Sequence, residues 1–235
     1  MPISSYRARP IRSSCLLATA ALLPLTPAAA QTTQDEQFWL NMTVQAKIAG
    51  PLLFFAEVQP RVSNRADGLD QLLLRPAIGW RLSPSVTVFQ GYAHVLSPVD
   101  GAGDIKEDRS FLQLSWIVGK PWKGELSSRT RLEQRWRNDG DDMGWRLREM
   151  VRLEVPVSEA GKVAALGYAE AFIALNDTDW GARGGFDRLR SFAGAEIGMG
   201  GRSTLELGYL NQYIDQAGGR SRMDHVLSVS FFMRR

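Results

Sequence analysis

The chain has 235 residues, with 28 Lys+Arg, 25 Asp+Glu, one Cys and two His. Its formal surplus of three positive charges sits in residues 1–30, where Arg7, Arg9 and Arg12 meet no acid, so the remaining 25 basic residues face 25 acidic ones. A protein that reads nucleic-acid phosphate keeps a basic surplus in its folded domain, which excludes that class, and 44 % hydrophobic content is too apolar for a disordered chain.

Residues 1–30 read as a secretory signal peptide, leaving residues 31–235 as one domain. Arg7 to Arg12 form its charged start, Leu16 to Leu23 its apolar centre, and Ala28-Ala29-Ala30 the small residues before a cut at Gln31. The apolar run is too short to span hydrocarbon, which needs about 20 residues. Cys15 lies at the start of that run and not after it, which argues against lipid attachment; its loss leaves no disulfide and no Cys-based zinc site. No later stretch is apolar enough for a membrane helix, so an exported chain of this kind enters a bilayer only as a closed barrel.

From residue 38 onward period-2 alternation dominates. In Phe38–Ile48, Leu40, Met42, Val44, Ala46 and Ile48 fall opposite Asn41, Thr43, Gln45 and Lys47. Then Phe54, Ala56, Val58 and Val62 oppose Glu57, Gln59 and Arg61, and Leu72, Leu74, Ile78, Trp80 and Leu82 oppose Gln71, Arg75 and Arg81. A strand at 85–96 precedes one where Leu112, Leu114, Trp116 and Val118 oppose Arg109, Gln113 and Ser115. Residues 124–138 carry a dense charged face, and the next strand sets Trp145, Leu147, Val151, Leu153 and Val155 against Arg146, Arg148, Arg152 and Glu154. Strands at 163–176, 186–199, 203–215 and 222–233 complete eleven candidates, most of them 11 to 15 residues long. A tilted membrane-crossing strand needs about 9–11 residues, against the 5–6 usual in globular sheets.

The spacing predicts a short–long rhythm of connections. Short ones fall near 49–51, 83–84, 120–123, 158–162 and 200–202, and longer ones near 63–69, 97–106, 139–143, 177–185 and 216–221. The expected fold is an all-β, antiparallel up-and-down transmembrane barrel of about 10–12 strands. An even count is usual for bacterial barrels, so residues 31–37 are expected to add a strand or climb through the lumen, unless one boundary is misplaced. Pro76 removes a ladder donor and predicts a bulge.

Two features orient the faces. Trp80, Trp116 and the turn residue Trp122 come out at one end of the strands and Trp136 and Trp145 at the other, as interfacial aromatic girdles would. Trp39 shares a face with Asn41 and Thr43 and fits no girdle. The opposite face carries Arg129, Arg131, Glu133, Arg135, Arg146, Arg148, Arg152 and Glu154, with Glu170, Glu196 and Glu206 set singly on later strands. Arg outnumbers Lys 23 to 5, and the planar Arg fork suits crowded carboxylate contacts. The predicted lumen is therefore laced with Arg–Glu pairs. A soluble periplasmic lipocalin-like barrel would put the same charges in water. Glu149, between Leu147 and Val151, contradicts the pattern locally.

Five short segments, in order, resemble one family. They are Arg129-Thr130-Arg131-Leu132-Glu133-Gln134-Arg135-Trp136; Trp145-Arg146-Leu147-Arg148 with Val155-Pro156; Glu170-Ala171-Phe172; Gly208-Tyr209-Leu210-Asn211-Gln212; and His225-Val226-Leu227-Ser228. The chain resembles DUF2490, a family of Gram-negative exported proteins, over most of residues 37–233. The resemblance implies an outer-membrane barrel-like fold and no established activity. The terminal Phe231-Phe232-Met233-Arg234-Arg235 departs from the final aromatic common to outer-membrane barrels.

An outer-membrane lipid hydrolase is the alternative activity. It wants Ser and His on one face, with a carboxylate or amide orienting the imidazole. His94–Ser97 and His225–Ser228 are each three residues apart, which places them on opposite strand faces; His225 with Ser97 across the barrel is the remaining combination. No catalytic residue is assigned and no cofactor is expected. No metal site is assigned either: Asp139, Asp141 and Asp142 read as a solvated loop, as does Asp104 to Asp108. Gly181 to Gly185 and Gly198 to Gly201 lack the following helix that a phosphate cradle needs. The expected partners are outer-membrane lipid and lipopolysaccharide, with the barrel-assembly machinery during insertion, and the expected state is a monomer in the cell outer membrane.

Overall fold

A computed structural model describes residues 32–65, 67–157 and 162–235. The leader expected at residues 1–30 and most of the turn expected at 158–162 lie outside the described residues. Eleven strands form one closed barrel: β1 (Thr32–Ala49), β2 (Leu52–Ser63), β3 (Gly68–Ser83), β4 (Val86–Ser97), β5 (Ile105–Gly119), β6 (Glu125–Arg137), β7 (Gly144–Pro156), β8 (Val163–Ala174), β9 (Gly185–Gly200), β10 (Ser203–Gln216) and β11 (Arg220–Arg234). Consecutive strands pair antiparallel, while β1 and β11 close the ring in parallel, from Thr32 opposite Ser221 to Gln45 opposite Arg234. An odd up-and-down count leaves no other closure, because the first and last strands run the same way. The even count is not met.

Residues 32–37 supply no extra strand and do not climb through the interior. They extend β1, and their pairing with Ser221–Val226 satisfies the backbone groups that a free segment would leave bare. Pro76 makes no bulge. It pairs opposite Ala56, and the β3–β4 register is the same at Leu74–His94 as at Ala77–Gly91. The rhythm of connections is looser than expected, since 64–67 and 217–219 are as short as the turns of the opposite end. The longer connections at that end are 98–104, 138–143 and 175–184.

The side-chain alternation predicted from sequence sets the two surfaces. Ile48, Ile78, Leu112, Val151, Leu207 and Leu227 lie exposed on the outer wall, while Arg131, Glu133, Arg146, Arg148 and Glu170 lie buried inside. Trp80 (51 % exposed), Trp116 and Trp122 (74 %) stand at the short-turn end, and Trp136 stands outward at the other with a half-buried Trp145.

The interior is not uniformly charged. Leu53, Ala77, Phe89 and Phe111 pack together on the β2–β5 wall, and Trp39, Leu166, Phe192, Leu210 and Val226 on the wall made by β1 and β8–β11. Phe192 stacks on Tyr168 with ring centroids 4.8 Å apart. Room for these rings comes from paired glycines: Gly194 lies opposite Gly208, and a Cβ on Gly208 would sit 2.6 Å from the Phe192 ring and 2.5 Å from the Ala193 carbonyl oxygen. Gly208→Val is expected to cost about 1–3 kcal/mol by overpacking, read as a lower urea unfolding midpoint. Gly103→Val, in a loop with open space around the glycine, should leave the midpoint where it was; equal midpoints for both variants would refute the packing role.

Candidate functional site

Neighbouring strands place like charges side by side on the inner wall. Arg109 lies opposite Arg135, Arg131 opposite Arg148, and Glu196 opposite Glu206. Like charges directly across a ladder destabilise it, so each pair needs an opposite charge between its members. Glu107, Glu133 and Arg152 supply it, and Glu170 extends the network.

Glu133 lies on β6. It accepts from Arg146 Nε (2.9 Å) and Nη2 (2.5 Å) and from Arg148 Nη1 (2.8 Å), with Arg131 Nη1 at 3.6 Å. Glu133 is 1 % exposed and Arg131 and Arg146 are each 3 % exposed, so bulk water does not screen these charges. Glu170, on β8, adjoins it. Its Oε1 accepts from Arg148 Nη2 (2.7 Å) and Arg129 Nη2 (2.8 Å), and Arg190 Nη1 stands 3.9 Å from Oε2. Glu107, on β5, holds Arg109 through Nε (2.8 Å) and Nη2 (3.0 Å) and Arg135 through Nε (2.5 Å).

The polarity then reverses. Arg152, on β7, donates to Glu206 (2.7 Å), Glu196 (2.7 Å) and Glu154 (3.2 Å). Every charged residue expected in the lumen thus faces the interior, and all of them are ion-paired. Sequence reading left several partners out of the site: Glu57 with Arg75, Glu107, Arg109, Arg190, and Asp224 with Arg222. Their signal was available, since each occupies a polar-face position of its strand.

Trp39 also resolves. It points inward, donates from its indole to Gln37 Oε1 (2.7 Å), and has the guanidinium groups of Arg61 and Arg190 at 3.9 and 4.9 Å from its ring centroid. Phe172 plays the same part opposite, with Arg146, Arg148, Arg188 and Arg190 between 4.4 and 5.7 Å from its ring. These ring faces attract cations and hold the guanidinium planes apart where carboxylates are too few.

Trp180 forms a cover over part of the long-loop end. Its ring lies 4.9 Å from Arg135 and 5.2 Å from Arg137, and its indole donates to the Asp142 carbonyl (2.7 Å). The loop that carries it (175–184) and the 138–143 loop clamp each other: Asp179 accepts from the Asp141 and Asp142 amides (2.8 and 3.2 Å), and the Asp179 amide donates to Asp142 Oδ2 (2.8 Å). Backbone donors, the Asp141 amide foremost, hold the Asp179 carboxyl below its ordinary range. Asp141 and Asp142 lie exposed in a loop, as expected, and that loop is tied down by this clamp.

Glu149 faces outward as its position implies, and it is not bare: Ser128 and Thr130 hydroxyls each donate to it at 2.5 Å. Both histidines face outward too, away from the lumen. His94 meets Asp108 (2.7 Å), which also accepts from Tyr92, and His225 meets Tyr209 (2.6 Å). Ser97 and Ser228 lie on the inner face, so neither local His–Ser pair converges, and His225 with Ser97 across the barrel does not either.

A closed meandering barrel with an apolar outer wall and an ion-paired interior is the class of protein defined by these features. A family model described as a protein of unknown function, DUF2490, matches residues 36–224, and the chain belongs to that family. It is similar to an uncharacterised protein of Methylorubrum extorquens, 45 % identical over 225 residues that cover 95 % of this chain and 96 % of the relative. No solved structure matches the chain.

Proposed function

We propose that the chain is an outer-membrane β-barrel, exported behind a cleaved leader and inserted as a monomer, whose charge-paired lumen binds or slowly admits small solutes and does not conduct freely. One observation carries this reading: the aliphatic and aromatic side chains form the outer wall while Glu133, Arg131, Arg146 and Arg148 are sealed inside. On a lipid-facing wall each of these arginines would be opposed by about 2–4 kcal/mol near midplane and Glu133 by less, whereas a water-soluble binding barrel turns its apolar face inward. The Trp residues at the two ends would then sit at the lipid headgroups, with lipid and lipopolysaccharide as the barrel's surroundings.

Eleven strands set a width between the filled eight-strand barrel and the open sixteen-strand porin, and the ion pairs and aromatic rings occupy that width. Membrane fractionation with heat-modifiable gel migration tests the location; a mature chain freely soluble without detergent would overturn it. In planar bilayers the unmodified protein is expected to show little or no conductance. Arg131→Ala combined with Arg148→Ala should raise it, since both side chains lie on the central row of the network. A large, stable conductance in the unmodified protein would refute the closed lumen, and release of fatty acid from added phospholipid would favour a hydrolase instead.

A further inference from the structure

The carboxylates of the interior do not balance its arginines where the free space lies. A cavity of about 270 Å³ inside the barrel is lined by eleven arginines and four glutamates, the latter being Glu57, Glu107, Glu170 and Glu206. Each of these glutamates is already engaged by an arginine: Glu57 by Arg75, Glu107 by Arg109 and Arg135, Glu170 by Arg148 and Arg129, and Glu206 by Arg152.

Arg61 is left over. It is buried, its terminal nitrogens donate only to the neutral amides of Gln71 and Gln59 (both 2.9 Å), and its buried Nε has no hydrogen-bond partner among the described residues. Arg190 shares the Trp39 ring with it, bonds neutral Gln212 (2.7 Å), and reaches its one carboxylate only at 3.9 Å. Two buried cations against one indole, without a carboxylate between them, leave a positive site that burial makes costly when empty.

A second cavity, of about 290 Å³, lies under Trp180 at the long-loop end, and Arg135, Arg137 and Arg188 line both spaces. Each of these three is ion-paired, with Glu107, Asp139 and Asp187 in turn, and Asp187 and Asp215 also line the second space, so a charged path of both signs leads from that mouth towards Arg61 and Arg190, where the carboxylates run out.

We propose that the interior holds a binding site for a small, multiply charged oxyanion, a phosphate or a polycarboxylate, centred on Arg61, Arg190 and Trp39 and entered past Arg135, Arg137 and Arg188. Both ligand types offer what these groups lack, negative oxygens that a guanidinium fork can meet two at a time. The cavity is below the range that takes drug-sized molecules, which restricts the ligand to a small ion or metabolite. The site is a property of the barrel interior and does not depend on where the barrel resides.

Inorganic phosphate, pyrophosphate and citrate are the probes, titrated calorimetrically into the purified full-length mature protein, with thermal unfolding followed in parallel. At least one is expected to bind, with an affinity that falls as salt rises, and to raise the unfolding temperature. Arg61→Gln removes the uncompensated charge, so it should weaken binding by about tenfold or more and make the ligand-free protein unfold at a higher temperature. Arg61→Lys should retain part of the affinity. Failure of all three probes to bind or stabilise the unmodified protein overturns the proposal, as does equal binding by Arg61→Gln. Heat-modifiable migration of the same samples reports on the membrane reading separately.

Discussion

Glu133→Ala is expected to destabilise the folded barrel by about 3–5 kcal/mol, the range for breaking a buried ion pair from one side. The size follows from what remains. Arg146 loses its hydrogen-bonded acceptor, Arg148 keeps only Glu170 of its two, and Arg131 loses its nearest carboxylate, while Arg131 and Arg148 already stand directly opposite each other across β6–β7. Water entering the vacated space would soften the loss, but Arg131, Arg146 and Arg148 are at most 5 % exposed, so burial wins. Glu133→Gln keeps the shape and an acceptor oxygen without the charge, and should fall between Ala and the unmodified protein. Removing an arginine as well, in Glu133→Ala with Arg146→Ala, should return part of the loss, because these two groups touch and their effects are not additive. Equilibrium unfolding in urea reads all four proteins. A midpoint for Glu133→Ala equal to that of the unmodified chain would show that the network is hydrated and stabilises little.

The strands and their faces were legible because alternation is a local property of the chain. Residues 38–48, 72–82 and 203–215 each announce both their extent and their inner face. What alternation cannot carry is the pairing between strands. Glu107 finds Arg135 because β5 and β6 are in a particular register, and Glu206 on β10 reaches Arg152 on β7 past two intervening strands of the curved wall. The sequence places every one of these groups on a polar face without saying which partner it meets. Trp39 and Phe172 were harder still: a large apolar residue on a charged face reads as an exception until the surrounding arginines are seen to use its ring. The extension of β1 to Thr32 was hidden for a different reason. Residues 32–37 are largely polar and carry little alternation, and their strand character comes from the open edge of β11. Closure of the ring decided it, and closure depends on the last strand as much as the first.

Arg152→Ala reverses the experiment on Glu133, and its outcome separates charge from packing. Among the described residues Arg152 is the cation that ion-pairs with Glu154, Glu196 and Glu206, and the last two lie directly opposite on β9 and β10. Without it, three acids repel across a narrow gap. Arg152 is half-buried, with its side chain 17 % exposed and that of Glu154 31 %, so hydration offsets part of the penalty that the Glu133 hub bears in full. The expected loss is about 2–3 kcal/mol, below the range for a fully buried pair broken from one side. If repulsion is the cause, removing one of the acids should reverse it: Arg152→Ala with Glu206→Ala is expected to be more stable than Arg152→Ala alone by about 1 kcal/mol. If lost packing is the cause, the second truncation adds a further loss. The sign of that one difference, measured in the same unfolding experiment, decides whether the interior of this barrel is held together by its charge pattern or only filled by its side chains.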